Sequence, residues 1–297
     1  MARVIFLPVE VGISRKNGTI QLTEKQGGRK ARVPVVQTSE IFALSGAEPD
    51  GTLLSLLAQY TVPLHIFKDG THISTYIPFA SVLSGKSVLA QVRTLEDTQQ
   101  RWSLAREILR GGARLRCMAS RMLRPEEKEE WECRYMDCLA AGYAAGTDGT
   151  TDSLRAFDRI DRDFLCREQW RDEELRYAEG LSKGVVLSAL PRLSLDPWIG
   201  ILKQEKTDIP PLAADMLFLF SPLLTWLWPH KKRPSPARRD LPETFRRHMG
   251  RRGATNGARI WSLKYLPVRE GYALSARFST GRPYRCASRV EVERCAE

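Results

Sequence analysis

One carboxylate on an otherwise apolar run is the residue of this sequence that most needs a partner. The run is Leu212-Ala-Ala-Asp-Met-Leu-Phe-Leu-Phe-Ser-Pro-Leu-Leu-Thr-Trp-Leu-Trp228, and its acid is Asp215. The run is a little short of the roughly 20 residues that cross a bilayer. Asp215 is costly in lipid, and Pro222 interrupts the helix. A buried helix is therefore the expected reading, and a carboxylate there must be paired, hydrogen-bonded or metal-bound. Two other acidic stretches lie upstream. Leu195-Asp-Pro-Trp-Ile-Gly-Ile-Leu-Lys203 reads as a turn leading into a short apolar segment, and Thr147-Asp-Gly-Thr-Thr-Asp152 as a helix start carrying Asp148 and Asp152. Taken singly, both are ordinary helix-capping patterns. His65, His72, His230 and His248 include no pair at ligand spacing. The six cysteines form no Cys-x-x-Cys knuckle and read as free, mostly buried thiols of a reducing cytoplasm.

The second candidate site is made of charge. The 297 residues carry 46 Lys plus Arg against 35 Asp plus Glu, a net +11. Most of that excess sits in one stretch. Pro229 to Arg259 holds Lys231, Lys232, Arg233, Arg238, Arg239, Arg246, Arg247, Arg251, Arg252 and Arg259 against only Asp240 and Glu243. Clustered cations of this kind neutralise backbone phosphates and release counterions, which gives salt-sensitive binding without sequence preference. The bland alternative is a solvated basic loop. Concentration of the charge in one segment favours nucleic acid. Prolines 229, 234, 236 and 242 keep the first half of the segment from being a regular helix.

The elements that must position these residues fall into two kinds. The first eighty-odd residues read as strands: Val4 to Leu7, Gly18 to Thr23 after the tight-turn pair Asn17-Gly18, Arg32 to Val36, and Glu40 to Leu44. Asp50 caps a short helix with Leu53, Leu54, Leu57 and Tyr60 as its apolar positions. Pro63 to Phe67 and His72 to Ile77 flank the hairpin turn Asp69-Gly70. From Ser87 the period becomes helical, in one pattern that runs to Pro125 and that Gly111-Gly112 weakens or bends. Further helices are expected around Glu126–Ala144, Thr151–Cys166, Glu173–Leu190 and Leu212–Trp228. The fold class is thus α+β: a β-rich domain over residues 1–80, a linker near Phe79–Lys86, an all-α domain over 87–265, and a basic tail over 266–297 to which the pattern assigns no element. The short apolar stretch after Met-Ala-Arg meets Glu10 too soon for a signal peptide, so a cytoplasmic protein with no membrane association is expected.

The order of these elements resembles the CRISPR-associated spacer integrase family, the first Cas protein, over about residues 3 to 250. The residues that carry the resemblance are Leu53 to Tyr60, Val62-Pro-Leu-His-Ile-Phe-Lys-Asp-Gly70, Tyr76-Ile-Pro78, Gln91 and Leu104-Ala-Arg-Glu-Ile108, then Leu195-Asp-Pro197 with Ile199, Gly200 and Leu202, and finally Leu212, Asp215, Phe220 and Pro222. The resemblance implies a metal-dependent DNA endonuclease that inserts spacers into a repeat array. It implies a homodimer formed through the β-rich domain, docking of a small second adaptation protein (Cas two), and double-stranded or branched DNA held on the basic surface by Lys231, Lys232, Arg233, Arg238, Arg239, Arg246 and Arg247. In an intact member a metal ion, Mg²⁺ or Mn²⁺, activates a DNA 3′-hydroxyl and stabilises the transferring phosphorus.

The departures fall on that metal site. The family holds its ion through a Glu, a His and an Asp, with a further acid one helical turn after the Asp. By the resemblance, the Glu position holds Asp148, the His position Lys203, and the further acidic position Phe218, while Asp215 is retained; Asp148 and Asp215 are the catalytic and metal-binding residues left. Ser221 and Trp226 stand where the family has an Arg and commonly an Asp. A protonated lysine has no lone pair to give a metal and instead offers an ammonium for Asp215 and Asp148. The resemblance therefore implies weakened metal binding and weak or absent catalysis in this chain. The alternative is a non-catalytic DNA-binding or assembly subunit of the adaptation complex.

Overall fold

A computed structural model of the protein describes residues 3–7, 11–25, 27–44, 47–78, 84–146, 150–170, 172–202, 209–227, 241–250, 252–255, 259–286 and 290–292. The N-terminal part is strand-rich. It runs β1 (Arg3–Leu7), β2 (Val11–Lys16), β3 (Thr19–Glu24), β4 (Lys30–Pro34), β5 (Thr38–Ala43), α1 (Gly51–Gln59), β6 (Leu64–Lys68) and β7 (Thr71–Tyr76). These strands make two sheets. One is the antiparallel meander β2-β3-β4; the other has the order β1-β5-β6-β7, parallel across β1-β5 and β5-β6 and antiparallel across β6-β7. Two of the hairpins, β2-β3 and β6-β7, close as their sequences demand. Asn17-Gly18 and Asp69-Gly70 all take positive φ, the turn geometry that matches strand twist. Asp50 caps α1 by accepting from the Leu53 N–H at 2.7 Å. The two sheets and α1 bury Leu7, Ile13, Ile20, Val35, Ile41, Leu53, Leu56, Leu57, Val62 and Leu64 as one core.

The remainder is helical: α2 (Gly85–Glu96), α3 (Thr98–Leu123), α4 (Lys128–Ala145), α5 (Thr150–Arg167), α6 (Asp172–Arg192), α7 (Pro211–Ser221), α8 (Leu241–Gly250) and α9 (Leu266–Thr280). The long period from Ser87 to Pro125 is two helices, because Asp97 breaks it. Its carboxylate accepts from the N–H groups of Gln99 and Gln100 at 2.9 and 3.0 Å and starts α3 afresh. Gly111 and Gly112 do not interrupt α3, which runs through both. The segment after Tyr265, to which the sequence pattern assigns nothing, supplies α9, packed on α2 and α6. A small antiparallel sheet, in the order β10-β8-β9 (β8, Arg252–Thr255; β9, Arg259–Ser262; β10, Val290–Val292), accompanies the helices.

The second and larger core runs through these helices and takes in Phe42, Leu44 and Phe67 from the strand-rich part. Helix α6 is the axis of that core: from Tyr177 to Pro191 nearly every residue is buried, against β5 and β7 on one side and α7 and α9 on the other. A polar bolt crosses the junction. His65 on β6, fully buried, sits 2.9 Å from the Thr75 hydroxyl and 2.9 Å from the Ser188 hydroxyl of α6, with the Glu40 carboxylate 3.8 Å away. No helix among the described residues is long and apolar enough to cross a membrane.

Candidate functional site

Helix α7 begins at Pro211, where a missing N–H costs nothing, and ends at Ser221 because Pro222 follows. The chain then widens into one π-type turn, Pro222–Trp226. Leu212, Ala213, Met216, Leu219 and Phe220 are buried, as the apolar run predicts. Asp215 is buried with them, at 1% exposure. Its carboxylate has a definite occupation: Oδ2 accepts the backbone N–H of Ile201 at 2.6 Å and of Leu202 at 3.1 Å.

The segment that presents those two N–H groups is itself pinned from three sides. The fully buried Gln91 of α2 donates to the carbonyls of Asp196 and Ile199 at 3.1 and 2.9 Å and accepts the Asp196 N–H at 3.0 Å. Arg101 of α3 donates to the Ile201 carbonyl at 3.0 Å. The Leu212 N–H donates to the Pro197 carbonyl at 2.9 Å. Asp215 is thus a fourth clamp on one turn.

Phe218, three residues on, looks elsewhere. Its ring lies over the Arg116 guanidinium of α3, 4.3 Å from the ring centroid, and meets Phe157 of α5 edge-on at 5.3 Å. The residues below it explain the glycine pair in α3: a Cβ on Gly112 would come within 2.5 Å of the Phe218 ring, and one on Gly111 would strike the Cys286 sulfur. Arg116 is buried, at 2% exposure, and forks onto Asp161 of α5 with Nε and Nη2 at 2.7 to 3.0 Å from the two carboxylate oxygens. Its Nη1 donates to the Gly112 carbonyl at 3.2 Å and to the Phe218 carbonyl at 2.9 Å. The second acceptor is no accident of packing, because Pro222 has no N–H to give the Phe218 carbonyl, four residues back along the helix. Tyr135 of α4 completes the group by donating to Asp161 at 3.1 Å. Burial pushes the Asp161 carboxyl above its ordinary value, against the pull of Arg116 and the Tyr135 hydroxyl.

Of the other expected site residues, Asp148 and Lys203 lie outside the described residues, and so do Lys231, Lys232, Arg233, Arg238 and Arg239. Arg246 and Arg247 are exposed on α8, and both pair with Glu243, Arg246 in a fork at 2.8 Å and Arg247 at 3.2 Å. The pairing holds the Glu243 carboxyl below its usual range. Ser221 turns its hydroxyl back to the Leu217 carbonyl at 2.6 Å. Trp226 stacks on Phe164 of α5 at 5.2 Å and presents its face to Arg116 at 5.6 Å. Among the described residues no group of three or more His, Cys, Asp or Glu side chains is placed to hold a metal ion.

Comparison with known proteins agrees with the order of elements. The family model described as CRISPR associated protein Cas1 matches residues 9–158, just over half of the chain. The chain belongs to the Cas1 family. It is 24% identical over 234 residues to the CRISPR-associated endonuclease Cas1 of Haloferax volcanii, covering 71% of this chain and 70% of that one. Its likeness to the CRISPR-associated endonuclease Cas1 of Nanoarchaeum equitans is 23% over 239 residues, with the same coverage. In fold it resembles the Cas1 protein TM1797 of Thermotoga maritima, with a TM-score of 0.73 at 17% identity over 95% of this chain and 99% of that one. A casposase bound to its integration product superposes with a TM-score of 0.78 at 12% identity, over 100% and 96% of the two chains. The Cas1-family fold also recurs in a Cas6-RT-Cas1–Cas2 complex, with a TM-score of 0.74 at 11% identity, where this chain covers 36% of a longer one.

Sequence reasoning reaches α7 and Asp215 but passes over Arg116 and Asp161. The signal is present. Arg116 falls four residues after Gly112 and seven after Leu109, on the buried stripe of α3, and Asp161 falls between Phe157 and Phe164 on that of α5.

Proposed function

We propose that this Cas1-family chain serves as a DNA-binding or assembly subunit in CRISPR adaptation and that its divalent-metal chemistry is weak or absent. The observation that carries the reading is the occupation of Asp215: its buried Oδ2 is spent on two backbone N–H groups. The next acidic position of the family holds Phe218, whose ring is packed on Arg116. Mg²⁺ or Mn²⁺ asks for several oxygen or imidazole donors converging on one point. The described residues bring no such set together, and two of the family's ligand positions lie outside them. Asp148 and Lys203 are the remaining family positions, and an Asp–Lys pair adds one carboxylate and one cation rather than a second ligand pair.

DNA binding rests on a different part of the molecule. The basic stretch from Lys231 to Arg259 holds most of the chain's positive excess, and α8, within it, carries two exposed arginines. The domain division at residues 1–80, 87–265 and 266–297, homodimerisation through the strand-rich part, and docking of Cas2 belong to the same proposal. The likeness in fold to a chain of the Cas6-RT-Cas1–Cas2 complex supports the last of these.

The test incubates branched DNA with the full chain and Mn²⁺ and follows binding and strand scission together. The expected result is binding that weakens steeply with salt, without cleavage. Cleavage abolished by Asp215→Ala would overturn the proposal and establish an active integrase or endonuclease.

A further inference from the structure

The Arg116 cluster has the composition of a cation site. Oxygens and ring faces surround the Arg116 guanidinium between α3, α5 and α7: the two carboxylate oxygens of Asp161 at Nε and Nη2, the carbonyl oxygens of Gly112 and Phe218 at Nη1, and the faces of three aromatic rings. The rings are Phe218 at 4.3 Å, Phe157 at 5.3 Å and Trp226 at 5.6 Å from the guanidinium carbon. Carboxylate and carbonyl oxygens are what a hard divalent ion collects, and ring faces attract any cation shielded from water. We propose that the Arg116 guanidinium is the resident cation of this helical core, filling an oxygen-lined seat permanently so that the seat takes no divalent ion.

Three observations support the assignment. Arg116 is 2% exposed, and its guanidinium donates to oxygens of Asp161, Gly112 and Phe218. A fully desolvated arginine is tolerated only where its charge and its N–H groups are matched in this way. Next, Phe218 and Trp226 are two of the positions at which the family resemblance implies acids, and both present ring faces to the same guanidinium. One physical feature, a fixed side-chain cation between α3, α5 and α7, accounts for both ring faces. Last, Gly112 lacks the Cβ that would push Phe218 off Arg116, so the backbone of α3 is fitted to the cage. Asp158 also acts electrostatically on both Arg116 and Asp161.

The proposal deepens the reading of the chain as a DNA-binding member without metal chemistry, and it rests on that reading for its functional consequence. Its test is thermal unfolding of the full chain in EDTA and in excess Mn²⁺. Wild-type protein is expected to unfold within about 1 °C in the two conditions. Arg116→Met keeps the stem and removes the charge; it is expected to unfold earlier in EDTA, and Mn²⁺ at about a hundredfold excess over its dissociation constant should restore about 5 °C or more. Arg116→Lys supplies a compact cation without the fork, and should be less stable than wild type yet indifferent to Mn²⁺. A folded Arg116→Met that ignores Mn²⁺ would refute the seat. If that variant does not fold, the wild type decides: a rise of about 5 °C with Mn²⁺ that survives Asp215→Asn refutes it. Cleavage of branched DNA by wild type is a separate readout, and its appearance would overturn the proposed function while leaving the seat to stand or fall on the unfolding data.

Discussion

Asp215 offers the sharpest separation between a structural and a metal-binding role. A carboxylate kept for a metal is a liability in metal-free buffer: it is a buried negative charge, and its removal leaves stability unchanged or raised. A carboxylate kept for the backbone is the reverse. Replacing Asp215 by alanine leaves the N–H groups of Ile201 and Leu202 without the acceptor they now share at 2.6 and 3.1 Å, in a place where the residue itself is 1% exposed. Each buried donor left without its charged acceptor costs ~1–3 kcal/mol. Water admitted to the vacated volume recovers part of that, so the expected loss for Asp215→Ala is ~3 kcal/mol. For a chain of this size that corresponds to a fall of about 6–12 °C in unfolding temperature. Asp215→Asn keeps one acceptor oxygen at the same reach but without charge, and the expected loss is about half as large.

The assay is urea and thermal unfolding of wild type, Asp215→Asn and Asp215→Ala, all in EDTA so that no metal contributes. The order wild type, Asn, Ala is the signature of backbone clamping. Equal or higher stability for Asp215→Ala would refute the reasoning and return the carboxylate to a metal-binding role. Amide exchange gives a second view: the N–H groups of Ile201 and Leu202 should lose protection in Asp215→Ala, while the loop's attachment through Gln91 keeps its remaining bonds.

Three other perturbations probe the rest of the molecule. Gly112→Ala should destabilise by ~1–2 kcal/mol in urea despite the better helix propensity of alanine, because the added Cβ meets the Phe218 ring and Arg116; a neutral or stabilising result would mean that the ring moves freely. His72, half-buried, is held to a pKa of about 3, chiefly by burial and then by the charge of Lys183 and by His65. The unfolded chain therefore takes up a proton near pH 6.5 that the folded chain refuses, so the stability His72 confers is complete above pH 6.5 and drains away as pH falls toward 3; the fall in urea midpoint between about pH 7 and pH 5 should shrink in His72→Gln. Neutralising Lys231, Lys232, Arg233, Arg238 and Arg239 together should flatten the salt dependence of DNA binding by about 0.9 in the logarithmic slope for each phosphate no longer neutralised, whereas Arg246→Gln should change it less, its charge being shared with Glu243.

Much of the fold is legible in the sequence because local chemistry and burial point the same way. Asp50, Asn17-Gly18 and Asp69-Gly70 each force one geometry, and the α4, α5 and α6 periods read cleanly into helices. Where sequence and structure part, tertiary context has the deciding vote. Asp97 is one more polar residue on a continuous helical period until its capping bonds split α2 from α3. Gly111-Gly112 has the character of a weak point, yet the pair marks where α3 is approached most closely by Cys286 and Phe218. Helix α9 is hidden because its residues are mixed in character, and its buried side, Leu266, Glu270, Leu274 and Phe278, includes a carboxyl group.

The site shows the same division more sharply. Asp215 stands out because it interrupts an apolar run, the loudest pattern a single charge can make. Arg116 and Asp161 each interrupt a buried stripe as well, but on amphipathic helices with charges on the other face, where one more Arg or Asp is inconspicuous. Only their meeting in space shows that each answers the other, since neither is tolerable in the core alone. Pro222 binds the two stories together. By withholding an N–H from the Phe218 carbonyl it leaves an acceptor inside the core, and Arg116 reaches that acceptor at 2.9 Å. The helix that carries Asp215 is therefore also one wall of the cage around the buried cation. A carboxylate placed at Phe218 would replace the ring that now covers Arg116 with a second acid beside Asp161.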